Sequence, residues 1–219
     1  MASHDPGFAT GPDPLSPEAV LAAVEARLLT TFGEPTGRAA VTFLGTERIE
    51  VLRFGPGAET GAVTGTADPA LVRYATLGMA VAPMADPLSP VVDPQRGPRA
   101  ELVLSIRSGR DGVLRALAML AASPQVEGLM VVPGAALDLG GPLWEGAPFH
   151  SVLVAEPGGL VADLTLAEPA DPVRFLPLLL MTPNEAAYKR VHGAPALQDL
   201  WLRHGTDLRD PLRRTVPLD

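Results

Sequence analysis

A chain of 219 residues with 47% hydrophobic and 19% charged residues can bury one sizeable core, and these proportions exclude a disordered chain. A net charge of −8 argues against nucleic acid as a partner, because phosphate binding needs clustered cations. The complete lack of cysteine excludes disulfides, thiolate nucleophiles and cysteine-held metals.

Residues 1–15 read as a flexible N-terminal segment, broken by Pro6, Pro12, Pro14, Gly7 and Gly11. The segment lacks the basic-then-apolar build of a secretion signal. No apolar run approaches the ~18 residues of a membrane span. The expectation is a cytoplasmic protein with no membrane contact. Ser16-Pro17-Glu18 opens a helix with a hydroxyl cap, a first-turn proline and an early acid. Val20, Leu21, Val24 and Leu28 keep helical spacing up to a stop at Gly33.

Two strands follow, 39–44 and 49–54, with a short polar linker that predicts an antiparallel hairpin. After a Gly- and Thr-rich connection come strands over 70–79 and 99–106, separated by a loop holding Pro83, Pro87, Pro90, Pro94 and Pro98. Strand alternation puts Leu102, Leu104 and Ile106 on one face of the second, with Arg99, Glu101, Val103 and Ser105 on the other. In the first, Tyr74 and Thr76 share a face.

Asp111 is the expected cap of a second helix, ringed by Val113, Leu114, Leu117, Ala118, Leu120 and Ala121 and ended by Ser123-Pro124. The stretch 134–148 reads as a loop pinned by Leu137, Leu139, Leu143 and Trp144. Strands are expected over 151–155, 160–166 and 173–179. Thr182-Pro183-Asn184-Glu185 has capping-box spacing and opens a helix closed by Gly193. A last helix turns Leu197, Leu200 and Trp201 inward and ends at Gly205, before a charged tail. The pattern predicts an α+β single domain, a mixed and mostly antiparallel sheet with flanking helices.

No Gly-x-Ser-x-Gly elbow, phosphate loop or dinucleotide fingerprint occurs. His192 and His204 each precede a glycine at a helix end, where a cation is favoured. No histidine spacing suggests a metal. The expectation is no enzyme, no cofactor, no metal and no catalytic residue. Arg99 and Glu101, two apart on one strand face, suggest an ion pair or a buried structural network; the functional alternative is that they hold a partner peptide or order the neighbouring Pro-rich loop. Trp144 is a candidate interface anchor. The candidate partner-binding residues are therefore Tyr74, Thr76, Arg99, Glu101 and Trp144.

Tyr74–Met79, Arg99–Leu104, Phe175–Leu178 with Thr182–Glu185 and Gly193, and Asp210–Arg213 in the tail resemble, in order and spacing, the suppressor of fused domain family in its bacterial form. The resemblance covers residues 16–216. It implies an α+β, non-enzymatic, protein-binding module. The animal relative grips a transcription-factor peptide between two lobes, and this chain is similar to the N-terminal lobe alone. For the bacterial type the resemblance implies an immunity protein that neutralises a toxin domain. The alternative is a small-ligand binder or enzyme with a pocket near Arg99 and Glu101.

Overall fold

The computed structural model describes residues 13–42, 48–55, 71–85 and 93–218. Its elements are α1 (Pro17–Phe32), β1 (Gly37–Val41), β2 (Ile49–Phe54), β3 (Leu71–Leu77), β4 (Arg99–Arg107), α2 (Gly112–Glu127), β5 (Ala136–Asp138), β6 (Ser151–Val154), β7 (Val173–Met181), α3 (Pro183–His192) and α4 (Ala194–Arg203). The strands form one sheet in the order β1-β2-β3-β4-β7-β6-β5. Every pairing is antiparallel except β4 with β7, which is parallel. A parallel neighbour needs a long crossover, and the chain from α2 through β6 supplies it.

Strand alternation then builds three layers. Leu102, Leu104 and Ile106 of β4 and Leu176, Leu178 and Leu180 of β7 face α2, against Val113, Leu117 and Ala121. Val103 and Phe175, on the opposite face, pack against Val20, Val24 and Leu28 of α1. Further along that second face, Leu153 and Met181 meet Leu197, Leu200 and Trp201 of α4. The α+β single domain expected from the sequence is the one observed. Among the described residues no helix is long and apolar enough to cross a membrane.

Local chemistry sets the ends. Ser16 Oγ accepts from Ala19 N at 3.3 Å and starts α1. Strand β3 stops at Leu77, two residues before the predicted end, because Gly78 (φ +123°) turns the chain into a 3-10 turn over Met79–Val81. A Cβ on Gly78 would sit 2.6 Å from the Arg48 carbonyl oxygen, so this bend requires glycine.

Four expectations need correction. Asp111 makes no side-chain cap; its exposed carboxylate lies 3.7 Å from Arg53 instead. Helix α2 does not end at Ser123-Pro124 but runs on to Glu127. Pro124 has no N–H to offer the carbonyl four residues back, and the Ser123 hydroxyl fills that role by donating to Leu120 O at 2.7 Å. Gly128, in the left-handed region, closes the helix. The expected strand 160–166 reduces to one bridge, Leu164 with Val173. The chain leaves the β7 edge after Ala155 and returns to it at that one residue. Finally, the pinned loop 134–148 contains an edge strand, β5, too short to show a period. The expected flexible stretch up to residue 12, the hairpin linker 43–47, the connection 56–70 and the loop segment with Pro87 and Pro90 lie outside the described residues.

Candidate functional site

Four of the five residues singled out from the sequence lie inside the molecule. Thr76 and Glu101 are 0% exposed, Tyr74 is equally buried, and Arg99 is 4% exposed. The pairing of β3 with β4 ends at Ala75 and Val103. Beyond it Thr76 Oγ1 takes over as acceptor for Leu102 N at 2.8 Å and donates to Glu101 Oε2 at 2.6 Å. Glu101 Oε1 accepts from Gly78 N at 2.9 Å and Ala80 N at 3.0 Å. From the same strand face, Arg99 Nη1 donates to Ala80 O at 2.8 Å and Val81 O at 2.6 Å. Carboxylate and guanidinium therefore clasp the amide and carbonyl ends of one turn, the turn that leads into the Pro-rich loop. Met84 N donating to Pro98 O at 2.8 Å closes the base of that loop.

Burial pushes the Glu101 carboxyl above its ordinary value, and the hydrogen bonds from Thr76, Ala80, Gly78 and Met79 pull against that rise. Burial likewise lowers the Arg99 guanidinium, opposed by Asp171. Tyr74 Oη accepts from Arg110 N at 2.8 Å and donates to Arg110 O at 3.1 Å, tying the sheet to the start of α2. Trp144 is half-buried, edge-on to Phe149 at 6.0 Å and under the Arg110 guanidinium at 5.9 Å. These side chains are engaged with their own chain and shape it.

A second buried network joins two stretches far apart in sequence. Glu185, 0% exposed, completes the capping box of α3 by accepting from Thr182 N at 2.9 Å. Its carboxylate also accepts from Trp201 Nε1 at 3.0 Å and Val216 N at 3.2 Å. Arg213 grips it with both terminal nitrogens, at 2.7 and 2.9 Å, the fork geometry that suits a carboxylate. The Arg213 guanidinium lies over Phe149 and Trp201, 5.0 and 5.6 Å from the ring centres. Burial alone would raise the Glu185 carboxyl, but Arg213, Thr182 and Trp201 outweigh it and hold it below its ordinary value. The charged tail is thus fastened to α3, α4 and the sheet.

The open surface lies elsewhere, at the far edge of the sheet. A groove of about 520 Å³ runs between the second half of α2 and β5, lined by Met119, Leu120, Val126, Leu129, Met130 and Leu137 among others. Met119 is 49% exposed, Val126 55% and Leu129 41%. Exposed apolar side chains gathered along a groove make it a candidate interaction site, and methionines adapt to varied partners. The apolar ring on α2 that predicts deep burial has two sources: one side meets the sheet and the other meets this groove.

Strand β5 borders the groove and ends the sheet. Ala135 O accepts from Val154 N and Leu139 N donates to His150 O, both at 2.9 Å. Antiparallel ladders alternate, so Ala136 and Asp138 direct their backbone N–H and C=O groups outward. Among the described residues no strand pairs with that edge. The sequence signal for the groove was the apolar run Leu129-Met130-Val131-Val132, which follows the helix and carries no strand or helix period. Neither this groove nor a smaller cavity beside α3 is lined by Tyr74, Thr76, Arg99, Glu101 or Trp144.

The family model for the suppressor of fused protein (SUFU) matches residues 45–214. The fold is similar to that of a solved suppressor of fused homolog from Neisseria gonorrhoeae, with TM-score 0.64 and 18% identity over 90% of this chain and 97% of that one. The Sufu–Fu complex contains a chain similar to this one at TM-score 0.61 and 12% identity, covering 93% of this chain and 92% of that one. Drosophila Suppressor of Fused matches at TM-score 0.57 and 14% identity; the alignment covers 98% of this chain and 54% of that one. At these identities the structural likeness shows the fold. No curated protein matches the sequence.

Proposed function

The chain belongs to the suppressor of fused protein family, and from that premise we propose that it is a protein-binding module docking its partner in the groove between α2 and β5. The observation that carries this reading is the coincidence of two features at one place, an exposed apolar groove and a strand edge with no partner strand among the described residues. An extended segment of a protein partner satisfies both. Its backbone continues the sheet on β5 while alternate side chains enter the groove, the mode called strand addition. A compact small molecule would use the groove and leave the edge unpaired. A protein of this fold is found in the Sufu–Fu complex, which supports a protein as the occupant.

The finer reading is that the partner is a toxin domain and that this chain neutralises it by stoichiometric masking, without turnover. Two things support it: the similarity to a bacterial homolog and a net charge of −8, which steers a basic partner. In this reading Tyr74, Thr76, Arg99 and Glu101 serve the partner indirectly, by holding the body of the sheet in shape. The test is co-expression with neighbouring genes from the host genome. Rescue of growth from a toxic neighbour, lost on Met119→Glu, supports immunity. Partner capture without any growth effect leaves a binding module of another kind.

A further inference from the structure

The groove between α2 and β5 is apolar along its length and acidic at one end. Of the residues that line it, only Glu127 and Asp138 are charged, and both are acids. Strand alternation puts the Asp138 side chain, like that of its ladder partner Ser151, on the opposite face of the sheet from Leu137. Its Oδ1 is held by Gly140 N at 2.8 Å. Glu127 is therefore the charge that the groove itself presents. It is exposed, and no cation pairs with it among the described residues. Arg115, the one cation of α2, lies about 18 Å away along the helix axis.

Glu127 also stands where a helix disfavours an acid. It is the last residue of α2, in the turn where carbonyls are left without intrahelical donors and the dipole is negative. No basic residue lies in that turn. Gly128 N and Leu129 N both turn back to Ser123 O, and Val131 N donates to Met84 Sδ. The carbonyls of Val126 and Glu127 thus receive no hydrogen bond from the described chain that follows. Carboxylate and carbonyls give the apolar groove a negative end that no described residue neutralises.

We propose that this end of the groove seats a cation, the Lys or Arg side chain of the segment docked on β5; the claim rests on the strand-addition reading and adds the chemistry of the partner. Charge complementarity selects the cation, because an acid there would meet Glu127 and the negative end of α2 at once. Side chains on one face of an added strand recur at every second residue. The partner segment therefore carries apolar residues at alternate positions and a Lys or Arg in the same alternation at one end. Glu127 sets specificity, while Met119, Val126 and Leu129 supply apolar contact.

The isotope-labelled full chain is titrated with the peptide Ac-KSVTVTVSK-NH2, followed by the amide shifts of Ala136, Asp138 and Glu127. Its lysines and valines share one strand face, and a lysine ends the segment in either direction. Counterparts carry glutamine or glutamate in place of both lysines, at matched ionic strength. The lysine peptide binds about fivefold more tightly than the glutamine peptide, the upper end for one exposed ion pair, and the glutamate peptide binds most weakly. Glu127→Gln abolishes the difference between the lysine and glutamine peptides and leaves the affinity of the glutamine peptide unchanged. The substitution takes an acid away from the negative end of a helix, so urea unfolding shows a chain at least as stable as wild type and the lost preference is not a lost fold. A lysine preference that survives Glu127→Gln, or an equal affinity for the lysine and glutamine peptides in wild type, overturns the cation seat. Saturable shifts at Ala136 and Asp138 with the glutamine peptide then leave the docking reading standing. No shift with any of the peptides up to about 10 mM overturns both.

Discussion

Replacing Arg213 by alanine tests whether the tail is fastened by the buried network. Glu185 accepts hydrogen bonds from Arg213 Nη1, Arg213 Nη2, Trp201 Nε1, Val216 N and Thr182 N. The substitution removes both guanidinium bonds and leaves a carboxylate at 0% exposure without its counter-charge. Breaking a buried pair from one side costs about 3–5 kcal/mol, against a total stability of about 5–15 kcal/mol for such a domain. The stacking of Arg213 on Phe149 and Trp201 adds to the loss. Urea unfolding followed by far-UV circular dichroism gives the difference as a shift in midpoint at constant slope. Arg38→Ala is the control: Arg38 pairs with Glu25 and Glu50, but its side chain is 41% exposed. An exposed pair contributes about 0–1 kcal/mol. Replacing both partners, Glu185→Met with Arg213→Met, does not restore the loss, because Trp201 Nε1, Val216 N and Thr182 N then lose their acceptor at about 1–3 kcal/mol each. The reasoning is refuted if Arg213→Ala costs no more than Arg38→Ala.

Acid carries a related signature. The Glu185 carboxyl is held low in the folded state, so its contribution is present above the unfolded carboxyl value and is lost as pH falls through the folded one. Wild type therefore loses stability faster than Glu185→Gln below about pH 4.3, and unfolding midpoints across that range check it. Glu101 is raised, so its sign is opposite: its contribution is full below the unfolded value and is lost as pH rises through the folded one. Glu101→Leu strips the acceptor from the Thr76 hydroxyl and the Gly78 and Ala80 amides at about 1–3 kcal/mol each. Glu101→Gln keeps an acceptor and costs less, with thermal unfolding and hydrogen exchange over residues 78–85 as the readout. Ser123→Ala leaves the Leu120 carbonyl without its donor and costs about 1–3 kcal/mol, measured by urea unfolding.

The sheet and helices were legible because burial follows the period of each element. The alternation of Leu102, Leu104 and Ile106 gave the face that packs on α2, and the capping box marked Thr182 and Glu185. Depth of burial was not legible. Polar residues on alternate strand positions look alike in sequence whether they meet solvent or a turn, and Glu101 meets a turn. The partner of Glu185 lies 28 residues further along the chain, beyond any local spacing rule. The groove was hidden by a local rule that tertiary chemistry overrides. Pro124 signals a helix end, yet the Ser123 hydroxyl carries α2 past it and so builds the groove wall that includes Val126.

The central claim is that the partner lies along β5 and α2. A photo-crosslinking residue at Val126, on the groove, is compared with one at Val191, which is more exposed but outside it. Both are expressed in the native host, with Met119→Glu as a companion to each. The account predicts one discrete protein adduct from position 126, lost on Met119→Glu, and none from position 191. An adduct from position 191 alone, or one from position 126 that survives Met119→Glu, contradicts it.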